Sequence, residues 1–335
     1  MMIVTYTIPF IDYESFQREL GKSEELVELA LYDLHGKACE IGLVNNERVK
    51  AMHGPRLPLQ ERFKKQHYQA ARIARTLGLQ EIILHPHKVQ GDENERLREQ
   101  VKTLRFIELY AQETGVTPVI ETFGGKRRVL KPEEITSTGI AMDLDTAHLE
   151  TLACLEIILN NSNNIRSIHI SGIIEEKGML VQQHIPITIR EELMIEQILA
   201  MNLNGRLGIE YESQHVEESI SDTKYIRLLV QGYKALMDAD FTKAKSLFQK
   251  AVIERKGYLV AYLQGITLMK SEDYTHAIKS FEESLLYHEA HATTHLFLSY
   301  VLRALGKNSR AEHHEKRCIE LDPVLEKDIL LTRTQ

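Results

Sequence analysis

The sequence predicts an α/β fold followed by an all-α one: a (β/α)8 barrel over residues 1–215, then an array of about three helical repeats over residues 225–325. Up to about residue 213, short runs rich in β-branched residues alternate with amphipathic stretches, the mark of βα units and a parallel sheet. From about Tyr225 the strand signals stop and helical periodicity runs through to Leu321. Within that second stretch the sequence repeats itself at a spacing of 33 residues.

Eight runs read as strands: residues 3–9, 38–42, 49–53, 81–85, 117–122, 139–143, 165–170 and 206–211. Helix candidates at 59–76, 94–114 and 190–200 fall between them, so eight strands and their crossovers fit a closed barrel. An open doubly wound sheet is the competing arrangement. It would carry a glycine-rich phosphate loop after its first strand, and residues 9–13 contain no glycine.

In the second half, Gly232, Ala244, Phe248 and Ala251 recur as Gly265, Ala277, Phe281 and Ser284. A third copy continues with Ser299, Ala311 and Cys318, closes on Asp322-Pro323, and has Glu315 in place of the aromatic, which reads as a polar cap on the array. Small residues allow two helices to approach closely while the aromatic fills the space between them, and the pattern resembles the tetratricopeptide repeat (TPR). The resemblance implies a protein or peptide partner, or self-association, through this region.

At 335 residues the chain has room for about two domains. Its 43% hydrophobic and 27% charged content is that of a globular protein, and its net charge of −7 argues against a nucleic-acid partner. The opening MMIVTYTIPF lacks the features of a signal peptide, and no stretch approaches the ~18 apolar residues of a membrane helix, so a cytoplasmic protein with no membrane association is expected. Cys39, Cys154 and Cys318 are odd in number and far apart, which fits reduced thiols rather than a disulfide framework or thiolate zinc site.

The chemistry lies at the expected strand ends. His53, His85 and Glu121 end the third, fourth and fifth runs; Asp145 and His148 follow the sixth; His169 ends the seventh; His184 lies in the loop after it; Glu210 closes the eighth. In a (β/α)8 barrel these ends converge on one mouth, where several buried carboxylates would need a compensating cation. Imidazoles and carboxylates without thiolate suit a divalent metal, zinc first, with manganese or iron as alternatives, better than calcium.

The segments MHGP (52–55), ILHP (83–86), IET (120–122), LDTAH (144–148), IHISG (168–172), QHIPI (183–187) and GIEYE (208–212) resemble the xylose isomerase-like TIM-barrel superfamily, which includes sugar isomerases, epimerases and endonuclease IV. The resemblance spans the whole barrel and implies one of two site designs. In the epimerase design Glu121, Asp145, His169 and Glu210 hold one metal, and the two glutamates are the catalytic pair that exchanges a proton with the sugar. The endonuclease design adds His53, His85, His148 and His184 to hold more ions. Gln182 stands where that design has an aspartate, Arg56 where it has an aromatic, and the connection before His53 is too short for its DNA-contacting loop.

Arg56, Lys88 and the GGKRR segment with Lys126, Arg127 and Arg128 are the candidate binders of an anionic substrate group, and His87 is a candidate outer residue. The leading expectation is therefore a hydrolase with two or three metals acting on a phosphoester other than duplex DNA. A single-metal sugar or sugar-phosphate isomerase or epimerase is the alternative. A third is a non-catalytic barrel whose helical repeats bind a protein.

Overall fold

In the computed structural model, which describes residues 2–9, 13–31, 47–122, 128–148, 163–176, 179–201 and 205–333, eight parallel strands close into a barrel. They are β1 (Ile3–Pro9), β2 (Leu26–Ala30), β3 (Val49–His53), β4 (Glu81–Leu84), β5 (Thr117–Glu121), β6 (Met142–Asp145), β7 (Ile165–Ile170) and β10 (Arg206–Ile209). β1 closes the ring by pairing with both β2 and β10, Thr5 standing opposite Leu26 on one side and Gly208 on the other. Between the strands run α1 (Tyr13–Leu20), α2 (Lys64–Thr76), α3 (Glu93–Thr114), α4 (Pro132–Thr138) and α5 (Ile189–Ala200). An antiparallel hairpin, β8 (Gly172–Glu176) with β9 (Met179–Ile185), is inserted after β7.

Two strands differ from expectation. The place between β1 and β3 is taken by Leu26–Ala30, and the expected second strand at 38–42 lies outside the described residues. The surrounding ELVELALYDL reads as an amphipathic helix of good helix formers, but pairing on both edges overrides that local preference. The sixth strand begins at Met142 rather than 139, because Gly139 adopts φ +75° to end α4 and cannot also be extended.

Successive side chains on a strand alternate between its faces, so His53, Glu121 and His169 share the faces of Ala51, Val119 and Ser167 two residues earlier. Ala51, Ile83 and Val119 pack together as an apolar cluster beneath the site. The same interior also buries Thr5, Glu28, Asp143 and Ser167, so it is apolar on one side and polar on the other.

By its contacts the chain divides into two units, Met1–Ile187 with Leu203–Thr223, and Thr188–Asn202 with Lys224–Gln335. The second unit is all-helical and takes α5 from between β9 and β10. Its other helices are α6 (Val216–Met237, from residue 224 onward), α7 (Phe241–Glu254), α8 (Tyr258–Lys270), α9 (Tyr274–Tyr287), α10 (Ala292–Ala304), α11 (Asn308–Leu321) and α12 (Glu326–Arg333). A methyl group on Gly232 would lie 2.5 Å from the Phe248 ring, and one on Gly265 2.5 Å from Phe281, so each glycine admits the aromatic of the following helix. Asp240 and Asp273 cap α7 and α9, accepting from the backbone N–H of Lys243 and His276. Glu315, expected as a polar cap on the array, is buried and accepts from Arg303 Nε at 3.1 Å.

Within this unit α5 supplies two carboxylates to the helical region. Glu192 is buried and accepts from Tyr225 Oη at 3.1 Å and from the Leu259 backbone N–H at 3.2 Å. One turn later, Glu196 accepts from Tyr258 Oη at 2.9 Å and lies 3.1 Å from His291 Nε2. Burial pushes the Glu192 carboxyl above its usual range, although these donors and Arg255 oppose the shift. Cys318 is buried in the helical unit; Cys39 and Cys154 lie outside the described residues. Among the described residues no helix is long and apolar enough to cross a membrane.

Candidate metal centre

The strand ends bring the expected ligands to one mouth. His53 and Glu121 are the last residues of β3 and β5, Asp145 of β6, and His169 is the penultimate residue of β7. His85 and Glu210 stand one residue beyond β4 and β10, and His148 ends the short turn of 3-10 helix, Thr146–His148, that follows β6. His184, expected in a loop, sits on β9 with φ +55°. The hairpin therefore carries it back to the barrel end: its Nδ1 lies 3.1 Å from the Glu210 carbonyl and its ring 5.7 Å from that of His148.

These side chains form three groups whose potential ligand atoms lie within 4.8 Å of one another: His53, His85 and Glu121; Glu121, His169 and Glu210; Asp145, His148 and His184. Glu121 belongs to two of them. Its Oε2 is 2.8 Å from His85 Nε2, and its Oε1 is 3.9 Å from His148 Nε2. His169 Nδ1 is 3.2 Å from Glu210 Oε2, and His148 Nε2 is 3.2 Å from Asp145 Oδ2. Asp145 is held by its backbone N–H, which donates to Thr122 Oγ1, and by its Oδ1, which accepts from the Ala147 N–H.

The electrostatics of this donor set call for a cation. Burial, with Glu210, Asp145 and Asp143 nearby, pushes the Glu121 carboxyl well above its usual range. Burial holds His85 and His148 below the usual histidine value, which keeps them neutral and able to donate a lone pair. His169 moves the other way. Burial would lower it, but Asp143, Glu28 and Glu210 around its ring outweigh that and favour a proton at the place a cation would take. Opposed to the desolvation that would raise it, hydrogen bonding from His169 and the charge of the surrounding histidines hold Glu210 well below its usual range. Neutral imidazoles and clustered carboxylates fit a divalent metal, and buried clusters of this kind at a barrel mouth make the chain a metal-dependent enzyme.

A cavity of about 660 Å³ opens over the site, lined by His85, His148, His184 and Glu210 and rimmed by Arg56 and Arg128. Arg56 Nη2 lies 3.9 Å from Glu210 Oε1, and Arg128 Nη1 donates to the Pro86 carbonyl. His87 borders this cavity too, whereas Lys88, expected beside it, lines a neighbouring cavity of about 840 Å³ instead. Lys126 and Arg127 lie outside the described residues. Gln182 is half-buried on β9.

Two buried acids are not among the expected ligands, although Asp143 closes the expected sixth run at 139–143. Asp143 lies 2.9 Å from His169 Nδ1, and Glu28 lies 3.1 Å from His169 Nε2 and 3.4 Å from His53 Nε2. Each falls inside a strand, two residues before Asp145 and Ala30 respectively. An acid within an apolar run was the available signal.

No protein-family model matches the chain, and no curated protein matches it by sequence. Solved structures share the barrel fold. A D-tagatose 3-epimerase-like protein is 17% identical over 71% of this chain and 98% of its own, with a TM-score of 0.53. The IOLI protein, solved with a zinc atom, is 14% identical over 68% of this chain and 98% of its own, with a TM-score of 0.50. Endonuclease IV from Thermus thermophilus is 10% identical over 67% of this chain and 98% of its own, with a TM-score of 0.50. At these identities the likeness is one of fold.

Proposed function

We propose that the chain is a divalent-metal isomerase or epimerase acting on a sugar or sugar phosphate. The carrying observation is the pair Glu121 and Glu210, two buried carboxylates whose oxygens lie with a nitrogen of His169 within 4.8 Å of one another at the barrel mouth. Two carboxyls brought together at one point of the mouth are the arrangement expected of an acid and a base working on one carbon. One of the two removes the proton beside the substrate carbonyl, and the other returns one to the same or the neighbouring position. A bound cation supplies polarisation of that carbonyl and of the adjacent hydroxyl. Glu121, Asp145, His169 and Glu210 would hold it, with zinc, manganese or iron matching the donors. Arg56 and Arg128 at the rim bind an anionic group such as a phosphate. The fold likeness to an epimerase-like protein favours the same reaction class.

One observation favours a second reading. His53, His85, His148 and His184 complete two further ligand groups, which suits a site with more than one ion and hydrolysis of a phosphoester. The helical unit is read as a tetratricopeptide-like array that binds a protein or peptide. Since α5 already occupies Tyr225, Tyr258 and His291, a partner would use another of its faces.

Incubating the metal-loaded protein with sugars and sugar phosphates in deuterated water separates the readings. An isomer carrying solvent deuterium is expected, and release of inorganic phosphate instead would transfer the assignment to the hydrolase. The double variant His53→Ala/His85→Ala sharpens the test. Isomerase activity should persist with one ion bound, whereas a hydrolase should lose an ion and at least ~100-fold in rate.

A further inference from the structure

Beneath the ligand groups, one carboxylate touches two of the proposed metal-binding imidazoles from the side away from the mouth. Glu28 Oε2 lies 3.1 Å from His169 Nε2 and 3.4 Å from His53 Nε2. The two rings are stacked, with centroids 4.9 Å apart and planes 20° from parallel. Their other nitrogens face the ligand groups: His169 Nδ1 lies 3.2 Å from Glu210 Oε2, with Asp143 Oδ2 beside it at 2.9 Å, and His53 Nδ1 is 3.4 Å from His85 Nε2 and 4.0 Å from Glu121 Oε2. Each imidazole thus has one nitrogen on Glu28 and one on the metal side.

The carboxylate is itself held in place. Glu28 Oε1 accepts from Thr5 Oγ1 at 2.8 Å and has Arg206 Nε 3.8 Å away. Arg206 is fixed in turn by Glu81, donating from Nη1 to Oε2 at 2.8 Å. Glu28, His53 and His169 are fully buried. A relay of Glu81, Arg206 and Glu28 therefore runs through the barrel interior to the back of the metal centre.

We propose that Glu28 is the positioning residue of the metal centre: it accepts the Nε2–H of both His53 and His169 and so fixes each ring as a donor through Nδ1. The proposal rests on the reading of the mouth as a metal centre, for His169 with one ion bound and for His53 with more than one. A neutral imidazole carries one N–H, and a partner on one nitrogen decides which nitrogen retains a lone pair. With Glu28 taking Nε2–H from both rings, both Nδ1 lone pairs are directed towards the cluster. Glu28, His53 and His169 are also close enough to hold an ion themselves. The Arg206 guanidinium beside Glu28 opposes a cation there, the His169 Nε2–Oε2 separation is a hydrogen-bond distance, and the His53 Nε2 contact is longer at 3.4 Å.

Glu28→Gln tests the assignment with the shape preserved. A glutamine has one accepting oxygen and one donating NH2 group. Turned one way, its NH2 faces two imidazole N–H groups; turned the other way, it faces Arg206. Zinc titration of the full chain should give wild-type stoichiometry in the variant with affinity weakened about 10- to 100-fold. Long-range 1H–15N spectra of its histidines should show His53 or His169 changing tautomer. Loss of a whole equivalent of zinc would make Glu28 a ligand and overturn the proposal, as would unchanged affinity with unchanged tautomers in a folded variant. If the variant does not fold, the zinc-loaded wild type decides: Nε2–H on both rings is expected, and Nδ1–H on either overturns the assignment. Failure of the wild type to bind zinc would instead refute the metal centre.

Discussion

Gly208 sets the position of His169 through a single missing carbon. A methyl group there would lie 2.6 Å from His169 Cδ2 and 3.2 Å from Glu28 Oε1. Gly208→Ala must therefore displace the imidazole or the strand, and a destabilisation of about 1–3 kcal/mol is expected by urea unfolding. Zinc affinity should fall with it, because the ring that moves is a proposed ligand. Unaltered stability and affinity would show that the strand yields without disturbing His169. Seven of the eight candidate ligands stand at or just past the end of a β-branched run or in the LDTAH segment, where a barrel exposes side chains at its mouth, and His184 came only from the loop after the seventh run. Glu28 was not legible, since it lies in a stretch that reads as a helix, and Asp143, last residue of the expected sixth run, was passed over for Asp145 and His148 just beyond it. Lys88 shows the converse limit. It follows the ligand His85 by three residues, but in irregular chain no fixed period sets the direction of its side chain, and it lines the neighbouring cavity.

At the scale of elements, strand periodicity identified seven of the eight barrel strands, with β6 shifted, and failed where helix-forming residues fill a strand, as in Leu26–Ala30. α5 was recognised as a helix, but its membership of the helical unit was not legible, because Glu192 and Glu196 look like ordinary solvent-facing acids until Tyr225, Tyr258 and His291 are placed around them. That arrangement has a consequence for fragments. A chain of residues 220–335 lacks α5 and leaves the Leu259 N–H and the tyrosine hydroxyls without Glu192 and Glu196. Each buried group left without a partner costs about 1–3 kcal/mol. The fragment should be marginally soluble and melt without cooperativity, whereas residues 186–335 should show a sharper transition at higher temperature by circular dichroism. Identical melting of the two would contradict the role given to α5.

For the molecule as a whole, the barrel gathers residues separated by more than 150 positions in sequence onto one end, where buried acids and imidazoles cluster. The helical unit also carries histidines, with His295 Nδ1 and His314 Nδ1 2.9 Å apart, so metal binding by the chain would not by itself locate the centre. Burial, then His295 and His313, holds His314 down at about 4, which leaves it neutral and a competing donor at pH 7. Location is therefore the deciding quantity. Anomalous diffraction from crystals of the full chain equilibrated with zinc should place a peak at about 2.0–2.2 Å from oxygen and nitrogen atoms of Glu121, Asp145, His169 and Glu210. Zinc found only at His295 and His314, with none at the barrel mouth, would contradict the account.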